Sequence, residues 1–460
     1  MGKPAVIIIG AGPAGVRAAQ TVARAGLRPI VIDEAARAGG QIYRRPPENF
    51  TRNHAELYGS EAARAQAIHQ DFAALEGQID YRPETLVWNV ADGHVWTAKD
   101  GETQAIAYDA LIICSGASDR VAPVKGWQAA GCYSLGGAQI ALKAQGCAIG
   151  HQVIFLGSGP LLYLAAAQYV KAGADVAAVL DTSPFWLRVK AAPKLAECPD
   201  LLWQGVKLLA DLKRAGVPVL TGVEPVEIHG DPQSGVSGVT VRHKGASKHF
   251  AGDAVAMGWH VKPEAQLADL ARVPFAFDAL TRQWLPQSDA QGRAGNKVYL
   301  GGDGAKVAGA RSAEVTGELA AMAALADLGL SVNAAVDADR RRWLLSEKAR
   351  YVRFAQGLAQ AFPWPHHMVA AIPDEAIVCR CEAVTAATLR ASVQSAHAQE
   401  ANRAKAFSRV GMGRCQGRYC GHASAEIIAA ARAVPLEETG RLRGQAPVKP
   451  IPVALKRIDL

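Results

Sequence analysis

The feature that most constrains this chain lies within its first 34 residues. A run of β-branched residues, Val6–Ile9, is followed by the glycine-rich residues 10–15 (GAGPAG) and by a helical stretch to about Gly26. A second apolar run then ends at Asp33 and Glu34. Strand, glycine turn, helix and second strand form a βαβ unit of the size that binds dinucleotides.

Each glycine of this unit has its own physical role. Gly10 permits a tight turn, Gly12 lets the backbone approach a pyrophosphate, and Gly15 lets helix and strand pack closely. The helix that starts at Pro13 and Ala14 offers free N–H groups and the positive end of its dipole to the phosphates. Asp33, or its neighbour Glu34, can accept hydrogen bonds from an adenosine ribose.

Two later segments have the character of the outer pieces of a split FAD domain. Residues 110–114 form an apolar run that leads into Ser115 and Gly116, and residues 297–300 lead into Gly302 and Asp303. A carboxylate at a strand end, ahead of a helix, can bond a ribityl hydroxyl and set phosphate beside the helix. The alternative for Asp303 is an ordinary N-cap or turn aspartate.

A second copy of the glycine pattern follows in the middle of the chain. The apolar residues 153–156 lead into residues 157–162 (GSGPLL), where Leu162 stands in place of the third glycine, and the next apolar run ends at Asp181. We interpret this as a second dinucleotide fold whose ligand is undecided. It either binds NAD(P)H or is an inherited fold with an empty or altered pocket, and Asp181 disfavours a 2′-phosphate.

Length and charge exclude several other classes. A chain of 460 residues is expected to form two or three cores. Its net charge of +8 comes from scattered lysines and arginines without interleaved aromatics, so nucleic acid is not an expected partner. The N-terminal apolar run stops at Gly10 and is too short for a signal sequence or a membrane span. We therefore expect a cytoplasmic protein that is not integral to a membrane.

Four of the eight cysteines form a group near the C-terminus: Cys379, Cys381, Cys415 and Cys420. Four thiolates suit either zinc or a [2Fe-2S] cluster. The single residue between the first two departs from the spacing of structural zinc sites. Seven basic residues and two acidic ones lie between Cys379 and Cys420, and such a surround favours a cluster that gains negative charge on reduction.

Taken together, these motifs resemble a known family. The four-cysteine segment, with residues 409–414 (RVGMGR) before its second pair, resembles the bacterioferritin-associated-ferredoxin-like [2Fe-2S] domain. Residues 39–44 (GGQIYR), which include Gly40 and Gln41, and residues 447–450 (PVKP) are also similar to that family's members. Joined to the N-terminal FAD fold, the whole chain resembles the α (A) subunits of heteromeric amino-acid dehydrogenases: opine oxidases, hydroxyproline dehydrogenase and hydrogen cyanide synthase.

The resemblance implies a division of labour between subunits. A separate oxidase-like flavoprotein β subunit oxidises the carbon–nitrogen bond of an amino-acid-type substrate of the opine, D-hydroxyproline, proline or glycine class. Electrons then pass to the cluster and FAD of the α subunit. The resemblance also implies an FMN near the interface between subunits, and a further candidate partner is a small third subunit. No catalytic residue is assigned to this chain.

Two alternatives from other classes stay open. Pyridine-nucleotide disulfide reductases need a redox-active cysteine pair beside the flavin, and no Cys-x-x-Cys occurs before Cys379. A stand-alone NAD(P)H-dependent ferredoxin reductase is the enzymatic alternative. A scaffold that stores a cluster is the non-enzymatic one.

The predicted fold class is α/β, with two Rossmann-like domains and a small α-helical [2Fe-2S] domain. The predicted segments are 1–120 (first part of the FAD domain), 121–250 (inserted NAD-type domain), 251–335 (second part of the FAD domain), 336–373 (helix and linker), 374–435 ([2Fe-2S] domain) and 436–460 (tail). The candidate cofactor-binding residues are Gly10, Gly12, Pro13, Ala14, Gly15, Asp33, Glu34, Gly40, Gln41, Ser115, Gly116, Gly302 and Asp303.

Overall fold

The computed structural model describes residues 3–47, 49–50, 53–231, 233–330, 334–395 and 397–451. Its first sheet is five-stranded and parallel, and both faces are covered. The strands in spatial order are Val298–Leu300, Ala110–Ile113, Val6–Ile9, Ile30–Ile32 and Asp80–Arg82. Valine and isoleucine fill the central strand because a parallel strand buried on both faces needs apolar residues at every position.

Helices pack on one face of this sheet and a small antiparallel sheet on the other. The glycine-rich turn leads into the helix Pro13–Arg24, which crosses the helix Ala310–Asp327 at very short range. A Cβ placed on Gly317 would lie 2.1 Å from the carbonyl oxygen of Ala14. Further helices of this part are His54–Tyr58, Ala62–Ala73 and Gln266–Leu270, and its antiparallel strands are Leu86–Ala91, His94–Lys99 and Glu102–Ala107, with the hairpin Phe275–Asp278 and Gln283–Pro286.

The second sheet is also five-stranded and parallel. Its strands in spatial order are Val219–Thr221, Asp175–Asp181, Gln152–Ser158, Ala254–Trp259 and Cys132–Ser134. A separate antiparallel sheet of this part consists of Glu224–Asp231, Gly235–His243 and Ala246–Ala251. The helices are Leu135–Ile140, Pro160–Lys171, Trp186–Leu195 and Pro199–Arg214. Because Ala254–Trp259 pairs inside the parallel sheet, the inserted domain continues beyond the predicted boundary at residue 250. The apolar run alone does not reveal which sheet the strand joins.

Two short strands connect the two sheets. Ala117–Asp119 and Val261–Pro263 pair antiparallel, so the chain enters and leaves the inserted domain through one narrow ribbon. We call this ribbon, with the flanking residues 120 and 264, the linker. It lies next to the end of the strand Ala110–Ile113 and therefore beside the predicted flavin turn at Ser115 and Gly116.

A long helix, Ala334–Ala361, leads to the C-terminal part. On one face of this helix Tyr351 and Phe354 are buried, and Phe362 just beyond the helix is buried as well. Leu358 of the same face is partly buried in the same cluster. Pro363 ends the helix, as a residue that cannot donate a backbone hydrogen bond does.

The C-terminal module is small and mostly helical. A hairpin of Ile377–Cys379 and Val384–Thr385 precedes the helices Ala386–Ser395, Ala401–Ser408 and Cys420–Arg432, and His366–Ala370 lies before it. Its core residues Val378 and Ile427 belong to the same continuous apolar cluster as Ile154 of the second sheet. The module therefore packs firmly on the inserted domain. No helix in the described part of the chain is both long and apolar enough to cross a membrane.

We expect Gly317→Ala to destabilise the flavin fold by about 1–3 kcal/mol, because a methyl group would press on the backbone of Ala14. Gly205→Ala is the matched control, since Gly205 lies in an exposed helix with no atom within 4 Å of its added Cβ. This control should be neutral or stabilising by up to about 1 kcal/mol. Urea unfolding followed by circular dichroism measures both, and equal stability of the two variants would contradict the prediction.

Candidate functional site

The carboxylate of Asp33 fixes the first glycine turn through hydrogen bonds to backbone N–H groups. One oxygen of Asp33 accepts from the backbone N–H of Ala11 (2.5 Å) and the other from that of Ala35 (2.7 Å). Burial raises the pKa of Asp33, and these two N–H groups oppose the rise. Glu34 instead is exposed and pairs with Lys449 of the C-terminal tail. Of the two predicted ribose acceptors, Asp33 is therefore the one in contact with the glycine turn.

Glycines from three segments of the chain lie beside this turn. A Cβ on Gly12 would lie 3.5 Å from the Cα of Gly40, and Gly40 has a φ of +64° that favours glycine. A Cβ on Gly302 would meet the Cβ of Ala14 at 2.8 Å. The structure thus brings residues from three separate segments to the N-terminus of the first helix, and the glycines leave the backbone uncovered there. A phosphate-bearing ligand needs this kind of open approach.

The remaining predicted flavin residues take part in contacts within the chain. The Ser115 hydroxyl donates to the carbonyl of Glu264 (2.6 Å), and the Gly116 carbonyl accepts from the N–H of Glu264 (3.0 Å). One oxygen of Asp303 accepts from the N–H groups of Ala308 (2.9 Å) and Gly309 (3.1 Å).

These bonds of Asp303 are the ones expected of a turn aspartate. Its second oxygen receives no hydrogen bond from the described residues, so it can still accept one from a ligand hydroxyl. Gln41 is exposed and accepts from the Arg44 side chain (2.8 Å). The assignment of Asp303, Ser115 and Gln41 to a cofactor stays a prediction.

The four C-terminal cysteines meet although 33 residues separate the two pairs. Cys379 ends a hairpin strand, and Cys420 is the first residue of a helix. The Cys420 thiol hydrogen-bonds with Cys379 and with Cys415, and Cys415 also contacts Cys381. No three His, Cys, Asp or Glu side chains within the described residues converge as the ligands of a single metal ion would. A two-iron cluster instead needs two thiolates at each iron.

Two of these sulfurs already favour the thiolate form that binds metal. The hydrogen bond from Cys420 lowers the pKa of Cys379 to about 6, against the effect of burial and with help from the N–H groups of Gly411 and Glu382. The same donor lowers the pKa of Cys415 to about 5. Thiolates are the ligands of iron–sulfur clusters, and N–H groups aimed at the sulfurs tune them. The cysteines therefore fit a [2Fe-2S] group.

An ion pair ties the cysteine loop to the flavin fold. Arg418, between Cys415 and Cys420, donates to both oxygens of Glu264 (2.8 and 3.0 Å). It also donates to the carbonyl of Cys415 (3.3 Å) and to that of Val448 in the tail (2.6 Å). The backbone of Glu264 in turn bonds Ser115 and Gly116. Sequence reasoning missed Glu264, because it belongs to no motif.

The second glycine turn differs from the first in its carboxylate at the ribose position and in the space at its pyrophosphate position. Asp181 is fully buried, and its side chain accepts from Arg188 (2.6 Å), Tyr163 (2.7 Å) and the N–H of Ser183 (2.7 Å). The carboxylate at the ribose position is thus engaged by three donors of the chain itself.

The space at the second pyrophosphate position is also taken. A Cβ on Gly159 would lie 3.2 Å from the His260 ring, which packs edge-on against Phe362 with the ring centroids 5.9 Å apart. Burial lowers the pKa of His260 to about 4, so the ring is neutral. In the first turn Gly12 faces Gly40. In the second turn Gly159 faces the imidazole of His260, which packs against the phenyl ring of Phe362.

Two family models match the chain. The model described as "Pyridine nucleotide-disulphide oxidoreductase" matches residues 4–324, and the one described as "BFD-like [2Fe-2S] binding domain" matches residues 377–430. The first covers more than half of the chain. The class is therefore that of flavin-type dinucleotide oxidoreductases, here with a two-iron module appended.

Full-length relatives narrow the class. The chain is 34% identical over 465 residues to the A subunit of opine oxidase from Rhizobium meliloti, covering 98% of this chain and 86% of that protein. It is 29% identical over 464 residues to hydrogen cyanide synthase subunit HcnB of Pseudomonas protegens, covering 97% and 96%. The chain belongs to the family of flavoprotein oxidoreductases that contains the A subunits of opine oxidases. The resemblance drawn from the motifs is confirmed, as is the α/β fold class.

A solved structure supports the fold over nearly the full chain. L-proline dehydrogenase from P. horikoshii matches with a TM-score of 0.70 at 16% identity, covering 98% of this chain and 78% of that one. At this identity the likeness establishes the fold alone.

We expect Gly12→Ala to fold normally and to bind FAD roughly tenfold or more weakly, because the added methyl has room in the free chain but narrows the approach of a pyrophosphate. Gly12→Val should lose FAD more completely. The FAD dissociation constant and the thermal transition of the apoprotein separate ligand loss from misfolding. Full FAD occupancy in the valine variant would show that the dinucleotide lies elsewhere.

Metal analysis of anaerobically purified protein should find about two irons and about two acid-labile sulfides per chain, as a [2Fe-2S] cluster requires. Cys420→Ser should remove both the iron and the sulfide, since it deletes the thiol that contacts Cys379 and Cys415. Cys147→Ser is the matched control, because Cys147 is exposed and lies outside the group. One zinc per chain without iron or sulfide would contradict the cluster.

Proposed function

We propose that this protein is the electron-transfer α subunit of a heteromeric dehydrogenase. Its substrate is an amino-acid-type molecule of the opine, D-hydroxyproline, proline or glycine class, oxidised at the flavin of a partner β subunit. The observation that carries the proposal is the short connection from the four cysteines through Arg418 and Glu264 to the flavin turn at Ser115 and Gly116. The relatives from opine oxidase and hydrogen cyanide synthase are both described as subunits.

In this proposal the residues of this chain bind FAD and the cluster and hold the two groups in position. Bound FAD and a two-iron cluster would supply the redox chemistry. The backbone around Gly12 and Gly40 holds the pyrophosphate, and Asp33 accepts from the ribose. The four cysteines hold the cluster, and Arg418 fixes their loop against the linker. We place the complex in the cytoplasm, since all eight cysteines are free and thiols persist in reducing compartments.

The second nucleotide fold supports a partner, rather than NAD(P)H, as the electron source. Asp181 is engaged by Arg188, and His260 with Phe362 fills the position that faces Gly159. A nicotinamide nucleotide would have to displace all of these groups. The stand-alone NAD(P)H-dependent reductase is disfavoured on this ground. A scaffold that only stores a cluster does not explain why Arg418 and Glu264 connect the cysteines to the flavin turn. An FMN at the interface with the partner and a small third subunit complete the proposal.

The purified chain alone should neither oxidise amino acids or opines nor have its flavin bleached rapidly by NADH or NADPH. Addition of an oxidase-like β subunit should create a substrate-to-dye dehydrogenase. In that complex Cys381→Ser should abolish dye reduction but leave substrate reduction of the β-subunit flavin intact, whereas Cys147→Ser should keep both. Stopped-flow absorbance separates the two steps.

Two results would refute this assignment. Rapid substrate oxidation by the purified chain, with its own FAD reduced, would place the catalytic site here. Rapid bleaching by NAD(P)H would instead restore the reductase alternative.

A further inference from the structure

The linker presents two cations to the cysteine module. Arg120 contacts the Nε2 atom of His422, two residues after Cys420. Lys262 lies on the neighbouring linker strand, two residues before Glu264, whose carboxylate holds Arg418 between Cys415 and Cys420. Both come from the segment between the flavin fold and the inserted domain, far in sequence from the cysteines. We call the surface formed by Arg120 and Lys262 the cationic face.

Neither cation forms a close ion pair among the described residues, although Glu264 and Asp119 lie within electrostatic range of Lys262. Arg120 is only 4% exposed, its guanidinium lies 4.0 Å from the centre of the Trp364 ring, and its buried Nε has no hydrogen-bond partner. Its contact with the Nε2 atom of His422 is with an imidazole and not with a carboxylate. Lys262 forms no ion pair with the described part of the chain.

Two of the nearby carboxylates are already committed to other arginines, and a third, Asp119 of the linker, accepts from the backbone N–H of Gly136 (3.0 and 3.2 Å). Glu264 is bidentate with Arg418 (2.8 and 3.0 Å). Glu426 is bidentate with Arg282 (2.8 and 2.7 Å). Asp119 offsets the charge of Lys262, so the positive charge of the buried Arg120 is left over at this junction. A buried charge without a partner is costly, so a countercharge is expected there.

The [2Fe-2S] group has the charge that this junction lacks. Two ferric ions, two sulfides and four thiolates sum to about −2, and one-electron reduction adds one more negative charge. Through its contact with His422, Arg120 reaches the helix that begins at Cys420.

We propose that Arg120 and Lys262 are positioning and charge-compensating residues for the cluster, so that the cluster serves as the counterion that closes the junction between module and flavin fold. This rests on the cluster assignment made under the proposed function. Two consequences follow. The cationic face stabilises the reduced cluster and raises its reduction potential, and binding of the cluster protects the linker.

The first test measures the reduction potential of the cluster by dye-mediated titration with electron paramagnetic resonance. Arg120→Gln and Lys262→Gln should each lower it, and a tenfold change in the one-electron equilibrium corresponds to about 59 mV. Arg120→Lys should restore most of the potential, because it keeps the charge. Arg409→Gln is the matched control, since Arg409 pairs with Glu382 in the same module but is 66% exposed. Because solvent screens the exposed Arg409, its variant should change the reduction potential several-fold less than Arg120→Gln or Lys262→Gln does.

The second test uses hydrogen exchange and does not depend on electron transfer or on any variant. In the wild-type chain, residues 117–120 and 261–264 should exchange several-fold more slowly with the cluster than after its removal by a chelator under reducing conditions. If Arg120→Gln does not fold, this measurement still tests whether the cluster stabilises the linker.

Unchanged potentials in both glutamine variants, or equal exchange with and without the cluster, would overturn the inference while leaving the cluster itself in place. Absence of iron and sulfide from the wild-type chain would instead defeat the proposed function, so the two failures are distinguishable.

Discussion

The bidentate ion pair between Arg418 and Glu264 is the interaction on which the relative placement of the two candidate sites depends. Both side chains are largely buried, and each charge is satisfied by two parallel hydrogen bonds, the geometry in which a buried pair is worth most. Arg418 also holds the carbonyls of Cys415 and Val448. One guanidinium thus joins the cysteine loop, the linker and the C-terminal tail.

The two dinucleotide folds show how one topology can serve two purposes. Both have the strand, glycine turn, helix and acidic second strand that define the motif. In the first, Gly40 faces Gly12 and leaves space for a ligand. In the second, His260 fills the equivalent space and Asp181 is neutralised by Arg188. The sheet of the second fold shares one apolar cluster with the cysteine module.

The tail and the long helix complete this arrangement from opposite sides. Val448 is buried in the cluster that also contains Ile7 and Ile32 of the first sheet, and Lys449 pairs with Glu34. The long helix is followed directly by Phe362, which packs against His260. Segments that have no motif of their own therefore fix how the two motif-bearing parts meet.

The sequence by itself determined the features that are local. The spacing of Gly10, Gly12 and Gly15 and the paired cysteines indicated the fold class, the two-iron module and the family, because each motif needs only contiguous residues to be recognised. Tertiary structure alone decided the rest. Glu264 and Arg418 are 154 residues apart, His260 reaches Gly159 across strands, and Ala254–Trp259 joins the second sheet past the expected boundary. Such contacts are set by packing between distant segments, which leaves no periodic trace in either one.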